Sequence, residues 1–307
     1  MRTPKILVIG SLNMDLILQT AVMPVAGENL IGSNYQYFHG GKGGNQAIAT
    51  AKMGADVTFV GKVGNDASGD ELIQSLKDNG VQVEFITRDE GNNTGLAVII
   101  LEDSGQNRIL VYPESNMSLT PADIDKAFEH DYDAMMLQFE VPEVVVVHAC
   151  KKATEKNIPF IIDAGPAQDF PLEKIQSSEV FSPNETETLA MCGIEVVDEA
   201  TAKKASQILF KRSNTKYVVI KSGANGSYIF DGETITHMPA IKVKAKDTTA
   251  AGDAFTAGLT VEYMKHQNIE EAVRFASAVG AVTVTKLGAQ PSLPTRQEVE
   301  AFLEVRD

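Results

Sequence analysis

Tryptophan is absent from this chain of 307 residues, and cysteine occurs only twice. Cys150 and Cys192 lack CxxC spacing, which excludes a disulfide framework or a zinc site of the usual kinds and points to a reducing compartment. Basic residues are also scarce. Against 41 Asp and Glu stand 27 Lys and Arg, a formal net charge of −14. Such a balance argues against nucleic acid or an anionic membrane as partner, because both need basic patches that bring phosphates close. An anionic small substrate stays open where positive charge is local. Long apolar runs are missing too. The N-terminal run at 6–9 is too short for a signal-peptide core, and no stretch approaches a membrane span. A cytoplasmic protein is the expectation.

What is present is the composition of a soluble globular protein, 43% hydrophobic and 22% charged. The length suits one large domain with an accessory element, or two small ones. Short β-rich apolar runs alternate with helical stretches. KILVIG at 5–10, DVTFVGKVG at 56–64, YDAMMLQ at 132–138, IPFIIDAGPA and YVVIK read as strands. Between them lie helical patterns, including SGDELIQSLKDNG, a helix from Thr120, and two near the end at 269–286 and 295–305. This rhythm predicts a mostly parallel sheet covered on both faces. Residues 16–38 break the rhythm: they alternate apolar and polar around a Pro and Gly break, and the same texture returns at 94–101 and 108–112. The two segments predict a small antiparallel sheet apart from the main one, serving as a lid or only as a packing or dimer surface. No fixed-period repeat is visible.

Several polar groups fall at carboxyl ends of predicted strands, where open α/β sheets bind ligands. Asn13 and Asp15 follow the first strand, and either bind a ligand or are ordinary turn residues; a dinucleotide GxGxxG turn is missing. HGGKGGNQ sets four glycines around Lys42 before a helix from about Asn45. Glycine lets backbone N–H groups approach a ligand, yet the frame is not a Walker A loop, since no Lys-Ser or Lys-Thr pair follows GxxxxG. Glu140 again stands between a strand and a helix. In SPNETE, Asn184 and Glu187 have capping-box spacing, and otherwise suit a metal ion and distal phosphates of a nucleotide. KDTTAAGDAFTAGL at 246–259 is a polar turn running into an amphipathic helix. Gly252 and Asp253 should sit in its first turn, where free N–H groups and the macrodipole attract anions. Asp253 is then either a cap or a base beside a bound phosphate. The irregular LGAQPSLP stretch offers carbonyl oxygens that, with Asp247 and Thr249, suit a monovalent cation.

Taken in order, GGKGGN, NETE and DTTAAGDAF resemble the ribokinase-like carbohydrate kinase family, and the resemblance runs nearly end to end. It implies an α/β fold of three αβα layers, with a mostly parallel central sheet plus a small β-sheet lid. A single kinase domain would span 1–307, its lid formed by about 12–38 and 94–113 and often shared across a homodimer. The implied activity is ATP-dependent phosphorylation of a pentose primary hydroxyl, ribose O5 foremost, with Mg²⁺ and, as activator, K⁺. A deoxyribose or nucleoside kinase is the alternative, and a non-catalytic sugar sensor the more remote one. Position by position, Asp253 matches the catalytic base, and N–H groups around Ala251 and Gly252 the anion hole. Asn13, Asp15, Gly41, Lys42, Gly43, Gly44, Asn45 and Glu140 match sugar-binding positions. Asn184 and Glu187 match an element near magnesium and phosphate. Lys221, Ser222, Gly223, Ala224, Asn225, Gly226 and Ser277 match nucleotide contacts. Asp247, Thr249, Thr283, Lys286, Gly288 and Ser292 match the monovalent-cation loop.

The chain departs from the family pattern at several points. Gly44 stands where Ala is typical, and His39 where an aromatic or small residue is usual. YPESN at 112–116 replaces a glycine-rich GAN segment, DAGPA from Asp163 replaces NPAPA, and Lys221 replaces Thr. His39 and 112–116 bear on the sugar, Lys221 on the nucleotide.

Overall fold

The computed structural model describes residues 2–175 and 177–306. Its main-sheet strands are numbered along the chain with those of a second sheet, and the inner ones are apolar on both faces because helices cover both. The main-sheet strands are β1 (Lys5–Ile9), β4 (Asp56–Gly64), β5 (Gln82–Asp89), β8 (Ala134–Leu137), β9 (Phe160–Asp163), β10 (Val180–Ser182), β11 (Tyr217–Lys221), β12 (Ser227–Phe230) and β13 (Ile235–Met238). The second sheet holds β2 (Asn13–Thr20), β3 (Asn34–Gly40), β6 (Gly95–Glu102) and β7 (Asn107–Tyr112). The helices are α1 (Lys42–Lys52), α2 (Ala67–Asp78), α3 (Pro121–Asp125), α4 (Glu143–Glu155), α5 (Glu185–Cys192), α6 (Glu199–Ser213), α7 (Ala251–His266), α8 (Ile269–Thr283) and α9 (Arg296–Glu304).

The nine-stranded sheet has the order β13-β12-β11-β10-β9-β8-β1-β4-β5. It is parallel from β11 to β5, and β12 and β13 close it as antiparallel strands. Alternation of side chains divides the core in two. Ile6 and Val8 pack toward α1, α2, α7, α8 and α9; Leu7 and Ile9 pack toward α3, α4, α5 and α6. The result is the expected three-layer αβα arrangement. Because the strands are parallel, the residues following β1, β8, β9, β10 and β11 share one edge.

The small sheet has the order β3-β2-β6-β7 and is mixed, which corrects the expectation of an antiparallel one. β2 and β6 pair in parallel over eight residues, Asn13 with Gly95 through Thr20 with Glu102. The reason is topological: β2 continues from β1 and β6 from β5, so both leave the same edge of a parallel sheet in the same direction. Between β2 and β3, residues 21–33 form no strand.

Three helices differ from expectation. α1 begins at Lys42, so two of the loop's glycines, Gly43 and Gly44, are helical. The stretch after Thr120 makes only one α-turn, over Pro121–Asp125. α7 is not amphipathic: every residue from Asp253 to Val261 is buried, because α1, α8 and the sheet surround it. Among the described residues, no helix is long and apolar enough to cross a membrane.

Candidate active site

At the start of α7 the chain turns through Ala250, whose φ of 59° puts it in the left-handed region. The N–H of Ala251 is taken by the Thr248 carbonyl at 3.2 Å. Among the described residues, no group accepts from the N–H groups of Gly252 and Asp253. Those two, rather than Ala251, are the donors left for an anion, with the positive end of the helix dipole behind them. A methyl built on Gly252 would meet nothing nearer than Lys221 Nζ at 3.8 Å, so the space above the helix end is open.

The Asp253 side chain is buried and aligned from both sides. Asn45 Nδ2 donates to its Oδ2 at 3.0 Å, and Gln46 Nε2 to its Oδ1 at 3.2 Å. Gln46 is itself held by Gln138, whose Nε2 donates to Gln46 Oε1 at 2.7 Å. Burial, resisted by the Lys42 ammonium and helped by Asp163, raises the Asp253 pKa to about 6. Lys42 Nζ lies 3.8 Å from Asp253 Oδ1, 3.6 Å from Asp163 Oδ1 and 4.0 Å from Glu187 Oε1. Burial alone would lower the Lys42 pKa; these carboxylates, with Glu140, hold it well above its ordinary value.

The glycines before Asn45 play another part than the sequence suggested. The N–H of Lys42 donates to Glu140 Oε2 at 3.1 Å, that of Gly43 to Ser11 Oγ at 3.4 Å, and that of Gly44 to the Ser11 carbonyl at 3.0 Å. These donors are therefore spent within the chain. Gly41 has φ 84°, and a Cβ there would fall 2.7 Å from the Asn13 nitrogen; one on Gly43 would fall 2.6 Å from the Gly10 carbonyl carbon. Gly41, Gly43 and Gly44 let α1 lie flat on the Gly10–Asn13 backbone, and that close contact aims Asn45 and Gln46 at Asp253.

Asp15 stands on β2 near Glu140 and Asp253. Burial, then the Glu140 charge, then the Asp253 charge raise its pKa to about 7. Asn13 Oδ1 accepts from Asn116 Nδ2 at 2.8 Å, and Asn116 also exchanges bonds with the Leu12 backbone. Ser11 Oγ donates to Glu140. A cavity of about 440 Å³ opens from Ser11, Asn13 and Glu140 toward Phe139, Pro166 and Phe170.

At the start of α5, Asn184 and Glu187 form a complete capping box: Glu187 N–H donates to Asn184 Oδ1 at 2.8 Å, and Asn184 N–H to Glu187 Oε2 at 2.7 Å. Lys221 follows beside them, its N–H bonded to the Pro183 carbonyl at 2.8 Å. The turn from Ser222 to Gly226 closes with Ser222 N–H on the Gly226 carbonyl, and Gly223, Ala224 and Asn225 are exposed.

This geometry brings together a buried carboxylate, a pair of unspent N–H donors and two lysines, and Glu140, bonded to the Lys42 N–H, ties them to the cavity wall. The sequence model of the pfkB family carbohydrate kinases matches residues 3–296. The chain belongs to that family. It is 36% identical over 299 residues to the bifunctional ribokinase/ribose-5-phosphate isomerase A of Fructilactobacillus sanfranciscensis, covering 96% of this chain but only 55% of that protein. It is 34% identical to the ribokinase of Haemophilus influenzae, covering 97% of each. The structure of Arabidopsis thaliana ribokinase complexed with ribose and ATP superposes with a TM-score of 0.90 at 31% identity, over 99% of both chains.

Other sequence-predicted positions of this carbohydrate kinase fall into two groups. Asp247 ties the segment before α7 to the loop around Gly288: its Oδ1 accepts from Thr249 N–H and hydroxyl, and its Oδ2 from Gly288 N–H at 2.9 Å. The Thr283 and Ser292 hydroxyls instead bond the Val279 and Ala289 carbonyls, and the Lys286 ammonium bonds Glu298. Ser277, on α8, bonds the Val273 carbonyl of its own helix, and its hydroxyl is not engaged with the Lys221–Gly226 turn. Among the described residues, no group of three His, Cys, Asp or Glu is placed to hold a metal ion.

Sequence reasoning missed Gln46, Gln138 and the role of Asp163. Gln138 and Asp163 carried a usable signal, since each lies at the carboxyl end of a parallel strand. Gln46 carried a weaker one, as the neighbour of Asn45 in the first turns of α1.

Proposed function

We propose that this chain is an ATP-dependent ribokinase that phosphorylates the primary hydroxyl of a pentose, with ribose O5 as the acceptor. The observation carrying this reading is the buried Asp253 carboxylate, gripped by Asn45 and Gln46, beside the unspent N–H groups of Gly252 and Asp253. The ribokinases of H. influenzae and A. thaliana, and the latter's complex with ribose and ATP, support it.

In the proposed reaction Asp253 accepts the hydroxyl proton as the sugar oxygen attacks the γ-phosphorus. The new O–P bond forms while the bond to the β–γ bridging oxygen breaks, and ADP leaves with that electron pair. A base whose pKa lies near 6 is ionised at neutral pH yet still able to take a proton in the transition state. The two N–H groups hold the equatorial oxygens of the phosphoryl group. Asn13, Asp15 and Glu140 receive the sugar hydroxyls, and Asn45 Oδ1, buried and without a partner among the described residues, offers one more acceptor.

Mg²⁺ fits this site through water and phosphate. Asn184 Oδ1 and Glu187 Oε2 are spent on the capping box, and Glu187 Oε1 faces Lys42, so both residues would hold the hydrated ion indirectly. When bound, the ion neutralises charge on the donor phosphates. K⁺ activation rests on the loops joined by Asp247, with carbonyl oxygens rather than the Thr283, Ser292 or Lys286 side-chain tips as ligands.

The chain acts in this reading as one kinase domain in the cytoplasm, with 12–38 and 94–113 forming the lid. Tyr35, Tyr37, Ile109, Leu110 and Val111 of the small sheet are all more than half exposed, which supports a homodimer through that sheet. The cavity extending to Phe139 and Phe170 supports a second reading, in which the acceptor carries an apolar group as a nucleoside does. Coupled detection of ADP across pentoses, hexoses and nucleosides tests both. Ribose should give the highest kcat/KM; preference for a nucleoside selects the second reading, and no acceptor-dependent ADP release rejects both.

A further inference from the structure

Asp163 and Lys221 form a buried pair that the base-and-helix mechanism leaves unused. Asp163 is wholly buried at the end of β9. Its Oδ2 accepts from Lys221 Nζ at 2.6 Å and from the Thr256 hydroxyl at 2.8 Å. Its Oδ1 accepts from Gly165 N–H at 3.2 Å and lies 3.6 Å from Lys42 Nζ. With both oxygens engaged, Asp163 is an anchor and has no free face for a cation. Burial would raise its pKa, but the two lysines and these hydrogen bonds hold it well below the usual carboxylate range.

Lys221 is the unusual partner. An ammonium carries three donors, and among the described residues only Asp163 accepts from this one. The side chain keeps 12% exposure. Its Nζ lies over the start of α7, 3.8 Å from where a Gly252 methyl would sit, and that methyl would touch nothing else. Two unspent ammonium donors thus face the same open space as the unspent N–H groups of Gly252 and Asp253. Lys42 approaches from the acceptor side, 3.8 Å from Asp253. Asp163 lies between the two lysines and fixes both.

We propose that Lys221, held by Asp163, is a catalytic residue that contacts the γ-phosphate of bound ATP and stays on the phosphoryl group as it passes to the sugar. The inference rests on the kinase reading above and adds a phosphate ligand to it. Lys221 donates hydrogen bonds only and transfers no proton; the proton still goes from the sugar hydroxyl to Asp253. Its charge meets the equatorial oxygens at the end of the helix, where two N–H groups alone would otherwise hold them. The competing role for Lys221 is neutralisation of Asp163, a purely structural task.

Three variants separate the two: Lys221→Met, Asp163→Asn and the double variant. Lys221→Met should lower kcat by about 10²-fold, the usual cost of removing one preorganised donor to a transition-state anion. Its KM for ribose should stay within about 3-fold, since no sugar contact is lost. By calorimetry its affinity for AMP-PNP should fall about 10-fold more than its affinity for ADP, because only the former carries a γ-phosphate. Asp163→Asn should lower kcat by less, since Lys221 remains but is no longer fixed. The double variant, which leaves no lone buried carboxylate, should stay at least about 10-fold below the wild type in kcat. It also decides the matter if Lys221→Met alone does not fold. Full recovery in the double variant would show that Lys221 only neutralises Asp163, and would overturn the proposal. Equal losses for AMP-PNP and ADP, or a Lys221→Met kcat within about 3-fold of wild type, would do the same. The calorimetric comparison needs no sugar. A wild type that fails to phosphorylate ribose would therefore reject the ribose reading while the contact to γ-phosphate stood or fell separately.

Discussion

At the scale of single residues, the site depends on carboxylates whose charge is made costly by burial. Asp253 has its pKa raised to about 6, so the ionised base is lost as pH falls through that value. kcat at saturating ribose should fall about tenfold per pH unit below 6, as followed in a pH–rate profile. Asp15 is raised to about 7, and a protonated Asp15 accepts poorly from sugar hydroxyls. KM for ribose should therefore climb as pH drops below 7, and Asp15→Asn should raise KM while removing that climb. Asp253, Asn13, Asp15 and Glu140 were legible because each follows a strand or opens a helix with a polar group that composition does not require. Gln46 and Gln138 were not. Their chain of amide bonds to Asp253 joins residues 138, 46 and 253, and no local pattern reports such long-range pairing.

Among the elements, α1 and α7 set the geometry together. Glycine is a poor helix former, so the GGKGG run reads as loop; close packing on Gly10–Asn13 overrides propensity and starts α1 at Lys42. Gly41→Ala meets both a left-handed φ and backbone at 2.7 Å. It should cost about 1–3 kcal/mol in urea unfolding and lower kcat by loosening Asn45 and Gln46. The start of α7 was legible from its turn residues, whereas its burial all round was not, since Ala, Gly and Thr fill a face that pattern reading takes for the solvent side. Behind α7, Asp247 bridges the loop before it to Gly288. Replacing K⁺ by Na⁺ at constant ionic strength should lower kcat; a flat response would leave Asp247 with a structural role only.

For the whole molecule, the alternation of strands and helices disclosed three layers and a separate small sheet. Its mixed pairing was hidden, because β2 and β6 are far apart in sequence and alternation does not encode strand direction. That sheet exposes Leu110 on β7, so, on the proposed homodimer, Leu110→Glu should shift the protein from dimer to monomer in analytical ultracentrifugation without altering its fold. A monomeric wild type would remove the basis for a shared lid. The central claim is that one chain, closed over a pentose and ATP, transfers a phosphoryl group with Asp253 as base. Its most direct test is ribose-dependent ADP release by the wild type and by Asp253→Asn, with ATP affinity measured alongside. The expected result is ribose-dependent turnover in the wild type that falls by about 10²- to 10⁴-fold in the variant, with ATP affinity kept within a few-fold. Near-normal turnover in Asp253→Asn would contradict it.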